Sequence, residues 1–369
     1  MKRHHLFGLL PLLLLTACSP AEKSASMGQI LGRADTGFAQ VLPGKNFAFP
    51  EDHLAHPKFR QEWWYLTANL HTADGTPLGL QWTQFRIALS AAAPASSSPW
   101  ASNQLYMAHA ALTFKQQHLT AERWGRGTHG EQAPAQVSGP PLSVRLDDWQ
   151  WQAQAGSDNP NHGLLPATLS VADAQFAYNL QLSANAPLVL QGDHGYSRKS
   201  ADGKVASYYY SQPFINVDGT VLHQGRWQHV SGIAWLDREW SSEFLSRQQQ
   251  GWDWFALHLN DGSALMLFQL RGTDKSDKAF YSGKRMFPDG RSHSLSAKDI
   301  RMQATAWQQT TSGRYPVSWH LSLPTEQLEL DITPLNRNAV MPLSVSYWEG
   351  PISISGSQQG AGYLELTGY

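Results

Sequence analysis

Short runs of alternating apolar and polar residues, broken by Asp-Gly pairs, set the pattern of this chain. Stretches 80–87, 207–215, 252–259 and 264–271 are aromatic-rich and carry the period of two that a strand requires. Asp-Gly occurs at 74–75, 202–203, 218–219, 261–262 and 289–290. This dipeptide favours tight hairpin turns because both residues tolerate positive φ. No helical periodicity is sustained, and Pro and Gly recur where long helices would have to run. The pattern predicts an all-β protein of antiparallel hairpins, either sandwich or barrel. The Ala/Pro/Ser stretch 91–99 and the region 125–140 read as long loops.

One strand is aromatic on both sides. In Glu62-Trp63-Trp64-Tyr65-Leu66-Thr67-Ala68-Asn69-Leu70, the even-numbered side chains share one face and the odd-numbered ones the other. Each face begins with a tryptophan, so neither suits solvent. The expectation is a barrel wall whose outside is covered by a second barrel and whose lumen face lines an apolar pocket. The same pattern returns in Trp252-Asp253-Trp254-Phe255-Ala256-Leu257-His258-Leu259. Both copies run into an Asp-Gly turn and return in an apolar strand. A duplicated β domain follows, with a first unit at 46–230 and a second at 231–369.

The N-terminus stands apart from this pattern. Lys2 and Arg3 precede an apolar run, Leu6 to Leu15, which is shorter than the roughly 20 residues of a membrane span and suits a secretory signal. Leu15-Thr16-Ala17-Cys18 resembles the lipobox of bacterial lipoproteins, and Cys18 is the one cysteine of the chain. That resemblance implies a signal peptide at 1–17, a lipidated Cys18 and an Ala/Ser/Gly-rich tether at 18–45. With Ser19 next, the expected location is the periplasmic side of the outer membrane, the membrane being reached through the lipid anchor. The folded body then has no disulfide and no thiol nucleophile. A net charge of −1 gives no nucleic-acid footprint.

Several groups could carry chemistry. Asp52, His53, His56 and Glu62 gather two imidazoles and two carboxylates before and into the aromatic strand. Such a set could handle protons, line a pocket or cap a barrel end. Its His-x-x-His spacing lies in a Pro-bounded loop rather than on a helix, so no metal site is expected, nor any cofactor. In "AWLDREW", 234–240, Trp235, Asp237 and Glu239 share one face, and Arg238 and Trp240 the other. Two carboxylates at i and i+2 would repel, raising one pKa and keeping an acid protonated near neutrality. Asp253, between Trp252 and Trp254, is a further acid. Ion bridges to Arg238 or another basic residue are the alternative. In "SYYYS", 207–211, Tyr208 and Tyr210 share a face that either lines a pocket or joins the core. "DHGYSRK", 193–199, reads as a solvated loop. The chain has no G-x-S-x-G elbow and no P-loop.

The blocks "FPEDHLAHPKFRQEWWYLTANL", "GDHGYSRKS", "ASYYYSQPF", "VSGIAWLDREWSS", "GWDWFALHLNDGSALMLFQLR" and "GYLELTGY" resemble the AttH-like, carotenoid 1,2-hydratase family, in the family's order. The resemblance implies two tandem lipocalin-like antiparallel β-barrels packed together. It also implies relatives that hydrate an isoprenoid double bond, which needs a carboxylic acid to protonate the alkene. Catalytic candidates are Asp237, Glu239 and Asp253. Candidate ligand contacts are Asp52, His53, His56, Glu62, Trp63, Trp64, Tyr65, Tyr208, Tyr210, Trp235, Arg238, Trp240, Trp252 and Trp254. Where the hydratases carry a histidine, this chain has Arg238, which suits an anionic or polar head group rather than proton donation. The expected role is binding of an apolar, isoprenoid or lipid-like small molecule. The alternative is its cofactor-independent hydration.

Overall fold

The computed structural model describes residues 25–26, 36–96, 98, 101–127, 133–155, 163–274 and 278–369. Among them there is no α-helix, and two antiparallel sheets account for almost all regular structure. In chain order the strands are β1 (Ala25–Ser26), β2 (Gln61–Thr72), β3 (Pro77–Ala88), β4 (Gln104–Thr113), β5 (His118–Arg126), β6 (Ala135–Ser138), β7 (Ser143–Leu146) and β8 (Trp149–Ala153). There follow β9 (Ala167–Ala172), β10 (Phe176–Ser183), β11 (Val189–Leu190), β12 (Tyr196–Arg198), β13 (Ala206–His223) and β14 (Arg226–Ser241). The second sheet adds β15 (Gln249–Leu259), β16 (Ala264–Gly272), β17 (Phe280–Met286), β18 (Ser292–Leu295) and β19 (Arg301–Gln309). It ends with β20 (Arg314–Leu323), β21 (Leu328–Pro334), β22 (Val340–Pro342), β23 (Val345–Gly356) and β24 (Gly360–Leu366).

The two sheets repeat one topology. The first runs β5-β4-β3-β2-β14-β13-β10-β9-β8-β7-β6, and the second runs β18-β17-β16-β15-β24-β23-β21-β20-β19. The strands of the two aromatic motifs, β2 and β15, hold the same place in their sheets. Each is followed by a hairpin partner and flanked on its other side by the last strand of its own unit. The fold is a pair of tandem lipocalin-like barrels, one nearly closed and one half-open. A parallel bridge between Gly127 and Ala135 brings the ends of the first sheet together.

Alternation along β2 builds both layers of packing. Trp64, Leu66, Ala68 and Leu70 fill the interior of the first barrel. Tyr65, on the other face, packs with Trp235, Trp254, Ala256 and Tyr363 between the sheets, and Trp63 packs against the same cluster. In β15 the faces are used likewise: Phe255, Leu257 and Leu259 go inward, Trp254 and Ala256 outward. The lumen of the first barrel is therefore packed core, and the expectation of a pocket on that face is corrected.

Close approach of the sheets needs a missing side chain. A Cβ at Gly79 on β3 would lie 2.4 Å from Pro351 Cγ on β23. Asn69 Nδ2 donates to Gly362 O at 2.9 Å across the same seam.

Four of the five Asp-Gly glycines take positive φ: Gly75, Gly203, Gly262 and Gly290. Gly219 instead lies inside β13, opposite both Leu180 and Val230. A Cβ there would meet Asn179 O at 2.3 Å, so this glycine serves strand approach, and the hairpin turns at Gln224-Gly225. The region 125–140 contains β6 as well as loop. The boundary placed near 230 falls inside β14, which pairs along its length with β13 and β2; the sheets part after Ser241. The end of the expected tether is docked rather than free. Ala39 N donates to Lys58 O, and the Tyr208 hydroxyl bonds both the N–H and the carbonyl of Leu42 at 3.0 Å. Cys18 and the signal segment lie outside the described residues.

Candidate active site

An aromatic-lined cavity lies between the barrels, where the outward faces of β2, β3, β13 and β14 meet those of β15, β16, β23 and β24. Its free volume is about 70 Å³, several times the roughly 10–15 Å³ that one water needs. The lining is largely aromatic: Trp63, Phe85, Phe244, Trp252, Trp254 and Phe268. Into it point Asp237, Glu239, Glu365, Lys199 and the hydroxyls of Tyr65, Tyr209 and Tyr347.

The register explains why these groups converge. On β14, Asp237 lies opposite Tyr65 of β2; on β24, Glu365 lies opposite Trp254 of β15. Tyr65 and Trp254 are both third in their aromatic motifs. On the next strand, Ser211 faces Asp237 and Glu349 faces Glu365, with Tyr209 and Tyr347 each two residues earlier. Trp63 and Trp252 are equivalent in the same way, as are their hairpin partners Phe85 and Leu270. The cleft is thus two half-sites, one from each copy of the repeat, brought face to face.

Asp237 is the best-supported acid in it. Its Oδ1 accepts from Ser211 Oγ at 2.5 Å and from Trp235 Nε1 at 2.7 Å, and its Oδ2 from the Tyr209 hydroxyl at 2.6 Å. Burial pushes its pKa up, the three donors pull it down, and Glu239 adds repulsion; the result is about 7. Glu239 accepts from Ser207 Oγ and pairs with Lys199 Nζ at 2.6 Å. Lys199 also sits 4.5 Å above the Phe268 ring.

The second sheet supplies two more acids. Glu365 accepts from Trp252 Nε1 at 3.0 Å. Burial raises it to about 8, against the pull of Trp252 and with the charges of Asp237 and Glu239 adding to the rise. Glu349 is pushed well above the carboxylate range by burial and then by Glu365. Its Oε1 accepts from the Tyr65 hydroxyl at 2.5 Å. Glu365, Glu349, Tyr209 and Tyr347 escaped the sequence reading. Only the cross-strand partners of the repeated motif could have pointed to them.

Other expected site residues lie elsewhere. Asp253 shares its face with Phe255 and points into the second barrel, away from the cleft. There it bonds Arg271 Nη1 at 2.5 Å, the Tyr369 hydroxyl at 2.7 Å, and Gln269. Arg238, Trp240, Trp64, Tyr208 and Tyr210 face the interior of the first barrel. Arg238 and Arg86 both pair with Glu62, which has no exposed side-chain surface, and Arg238 stacks 3.9 Å over Trp64. Burial works against the Glu62 carboxylate, but the two guanidiniums hold its pKa well below the usual range. His56 stacks on Trp240 at 3.8 Å and bonds Asp52 at 3.2 Å, while Asp52 pairs with Lys45 at 2.9 Å. His53 Nδ1 meets the Tyr210 hydroxyl at 2.6 Å. This whole constellation plugs one end of the first barrel. Trp235 is buried behind Asp237 and reaches the cleft through its N–H.

Tandem lipocalin-like barrels enclosing an acid-lined aromatic cleft define the class of protein. The AttH-like family model matches residues 40–369, and the chain belongs to that family. A structure of a candidate AttH protein from Nitrosomonas europaea is 35% identical, with a TM-score of 0.78, over 90% of this chain and 100% of that one. Kievitone hydratase from Nectria haematococca shares the fold, with a TM-score of 0.62 at 12% identity, over 90% of this chain and 98% of its own. No functionally curated protein matches the sequence.

Proposed function

We propose that this protein is an acid–base hydratase that adds water to a carbon–carbon double bond of an apolar, isoprenoid-like molecule. The observation that carries this reading is Asp237, a carboxyl poised near neutrality and facing an apolar aromatic cavity. Protonation of an alkene by Glu365, which burial keeps protonated at neutral pH, would leave a carbocation, which the faces of Trp63, Trp252 and Trp254 suit by their negative quadrupoles. Water then adds, and its proton passes to Asp237, which three hydrogen-bond donors hold partly as the carboxylate at neutral pH. One proton is given and one received, so the reaction balances. The small free volume fits the reacting end of a substrate. That kievitone hydratase has the same fold is consistent with this reading.

We propose also that acylation of Cys18 holds the protein at the periplasmic side of the outer membrane, where apolar molecules partition. The test of function is incubation of the purified protein with squalene in detergent and H₂¹⁸O, with mass spectrometry of the products. A labelled tertiary alcohol formed by the wild type, and reduced 10²–10⁴-fold in Asp237→Asn, is the expected result. Saturable squalene binding without any labelled alcohol would instead make the cleft a carrier site.

A further inference from the structure

Behind the cleft, a row of hydrogen bonds runs out to the surface of the first barrel. Tyr347 on β23 lines the cleft, and its hydroxyl lies 2.9 Å from His109 Nδ1 on β4. His109 has no exposed surface. Its other nitrogen, Nε2, lies 3.1 Å from Glu122 Oε1 on β5, the residue directly opposite in the ladder. The Glu122 side chain is 17% exposed, and Ser344 Oγ donates to its Oε2 at 2.6 Å. On the cleft side, Glu349 stands two residues from Tyr347 on the same strand face, and the Tyr347 hydroxyl interacts with its buried carboxyl. Three groups therefore join water to the cleft, crossing the seam between the sheets.

We propose that Glu122, His109 and Tyr347 form a proton relay between bulk water and the interdomain cleft. This role rests on the reading of the cleft as a site of proton chemistry, but the path itself does not. A simple pin between the barrels would need one hydrogen bond. Here an imidazole is engaged through both nitrogens, with a solvent-reaching carboxylate on one and a cleft-lining hydroxyl on the other. Burial lowers the His109 pKa and the Glu122 contact only partly restores it, so the ring is neutral at pH 7 and free to exchange tautomers. Phe85 packs edge-on against the ring and Tyr347 stacks on it.

The proton balance of hydration gives the relay its work. Each turnover takes a proton from the Glu365–Glu349 side and leaves one on Asp237. Tyr347 passes its hydroxyl proton to Glu349 as it receives one from His109 Nδ1. His109 takes a proton at Nε2 from water through Glu122. Asp237 gives its proton to water admitted as product leaves.

The experiment is nuclear magnetic resonance of the full chain labelled with ¹⁵N-histidine, reading solvent exchange of the His109 ring N–H, with His109→Gln for assignment. Exchange should slow at least tenfold in Glu122→Gln at unchanged melting temperature. Should that variant melt early, Glu122→Asp, which retains charge but withdraws from Nε2, should slow it likewise. Equal exchange in wild type and variants overturns the relay and leaves a structural pin. With squalene, Tyr347→Phe should lower kcat about tenfold with KM unchanged and a larger solvent deuterium effect. An unaltered kcat in that variant also counts against the relay. Relay-dependent exchange in a protein that never hydrates squalene would retain the path and retire the proposed reaction for that substrate.

Discussion

Asp237 and Glu365 occupy the same register in the two halves of the molecule, each the cross-strand partner of the third residue of an aromatic motif. Their surroundings differ. Two hydroxyls and an indole N–H hold Asp237, whereas an indole N–H holds Glu365. The donors pull Asp237 down to about 7, while Glu365 stays at about 8. Two acids with different environments, facing one cavity, are what an acid and a base sharing a reaction need.

The raised pKa of Asp237 makes stability depend on pH. The folded carboxyl keeps its proton up to about 7, whereas the unfolded one loses it near 3.8. The folded state binds more protons in that window, so this group's contribution is full below pH 3.8 and is lost as pH rises to 7. Asp237→Asn should therefore melt higher than wild type at pH 8, with the gap closing below pH 4. The upper bound is about 4 kcal/mol, from three units at roughly 1.4 kcal/mol each. Differential scanning calorimetry across pH 4–8 checks it.

Glu62 neutralises two buried guanidiniums, so its removal leaves Arg86 and Arg238 without a counter-charge. Glu62→Gln should cost about 3–5 kcal/mol, seen as a fall in melting temperature on the order of 10 °C. Squalene binding in the cleft should be unchanged at a temperature where the variant is folded. A variant that melts normally but loses binding would return this cluster to the functional site.

Gly79 sets how closely the sheets approach. Gly79→Ala places a methyl group against Pro351 and the Tyr363 hydroxyl. The expected cost is about 1–3 kcal/mol. Trp63 and Trp252 sit at the same seam, so their fluorescence should shift with the variant, and melting curves give the cost.

Cys18→Ser should abolish incorporation of labelled palmitate in bacterial cells and release the protein from the membrane fraction. The multiple acyl chains of a bacterial lipoprotein anchor far more firmly than one chain could. Palmitate entering the Cys18→Ser protein would overturn the proposed anchor.

The fold was readable because it is written in local signals. Alternation and Asp-Gly turns marked the strands, and the repeat of Trp63–Leu70 in Trp252–Leu259 marked the duplication. The shared face of Trp235, Asp237 and Glu239 followed from alternation alone. What could not be read was which face of each strand looked at the other sheet. That choice separates Tyr209 from Tyr208 and Tyr210, Trp254 from Asp253, and Asp237 from Arg238. Glu365 and Glu349 sit in short apolar contexts near the C-terminus, and only long-range register brings them to Asp237. Arg238, set against a family histidine, drew attention that its position inside the first barrel does not sustain.

The equivalence of the half-sites has a consequence for how this cleft could change over generations. In a symmetric dimer, every substitution appears on both sides of the axis at once, so an acid cannot become a base on one side only. Here both halves belong to one chain, and each position is coded separately. Ser211 stands where the other half has Glu349, and Thr83 where it has Phe268. A single point mutation can thus reshape one wall of the cavity and leave its mirror untouched, which makes this architecture able to acquire direction, and with it a preference for molecules whose two ends differ.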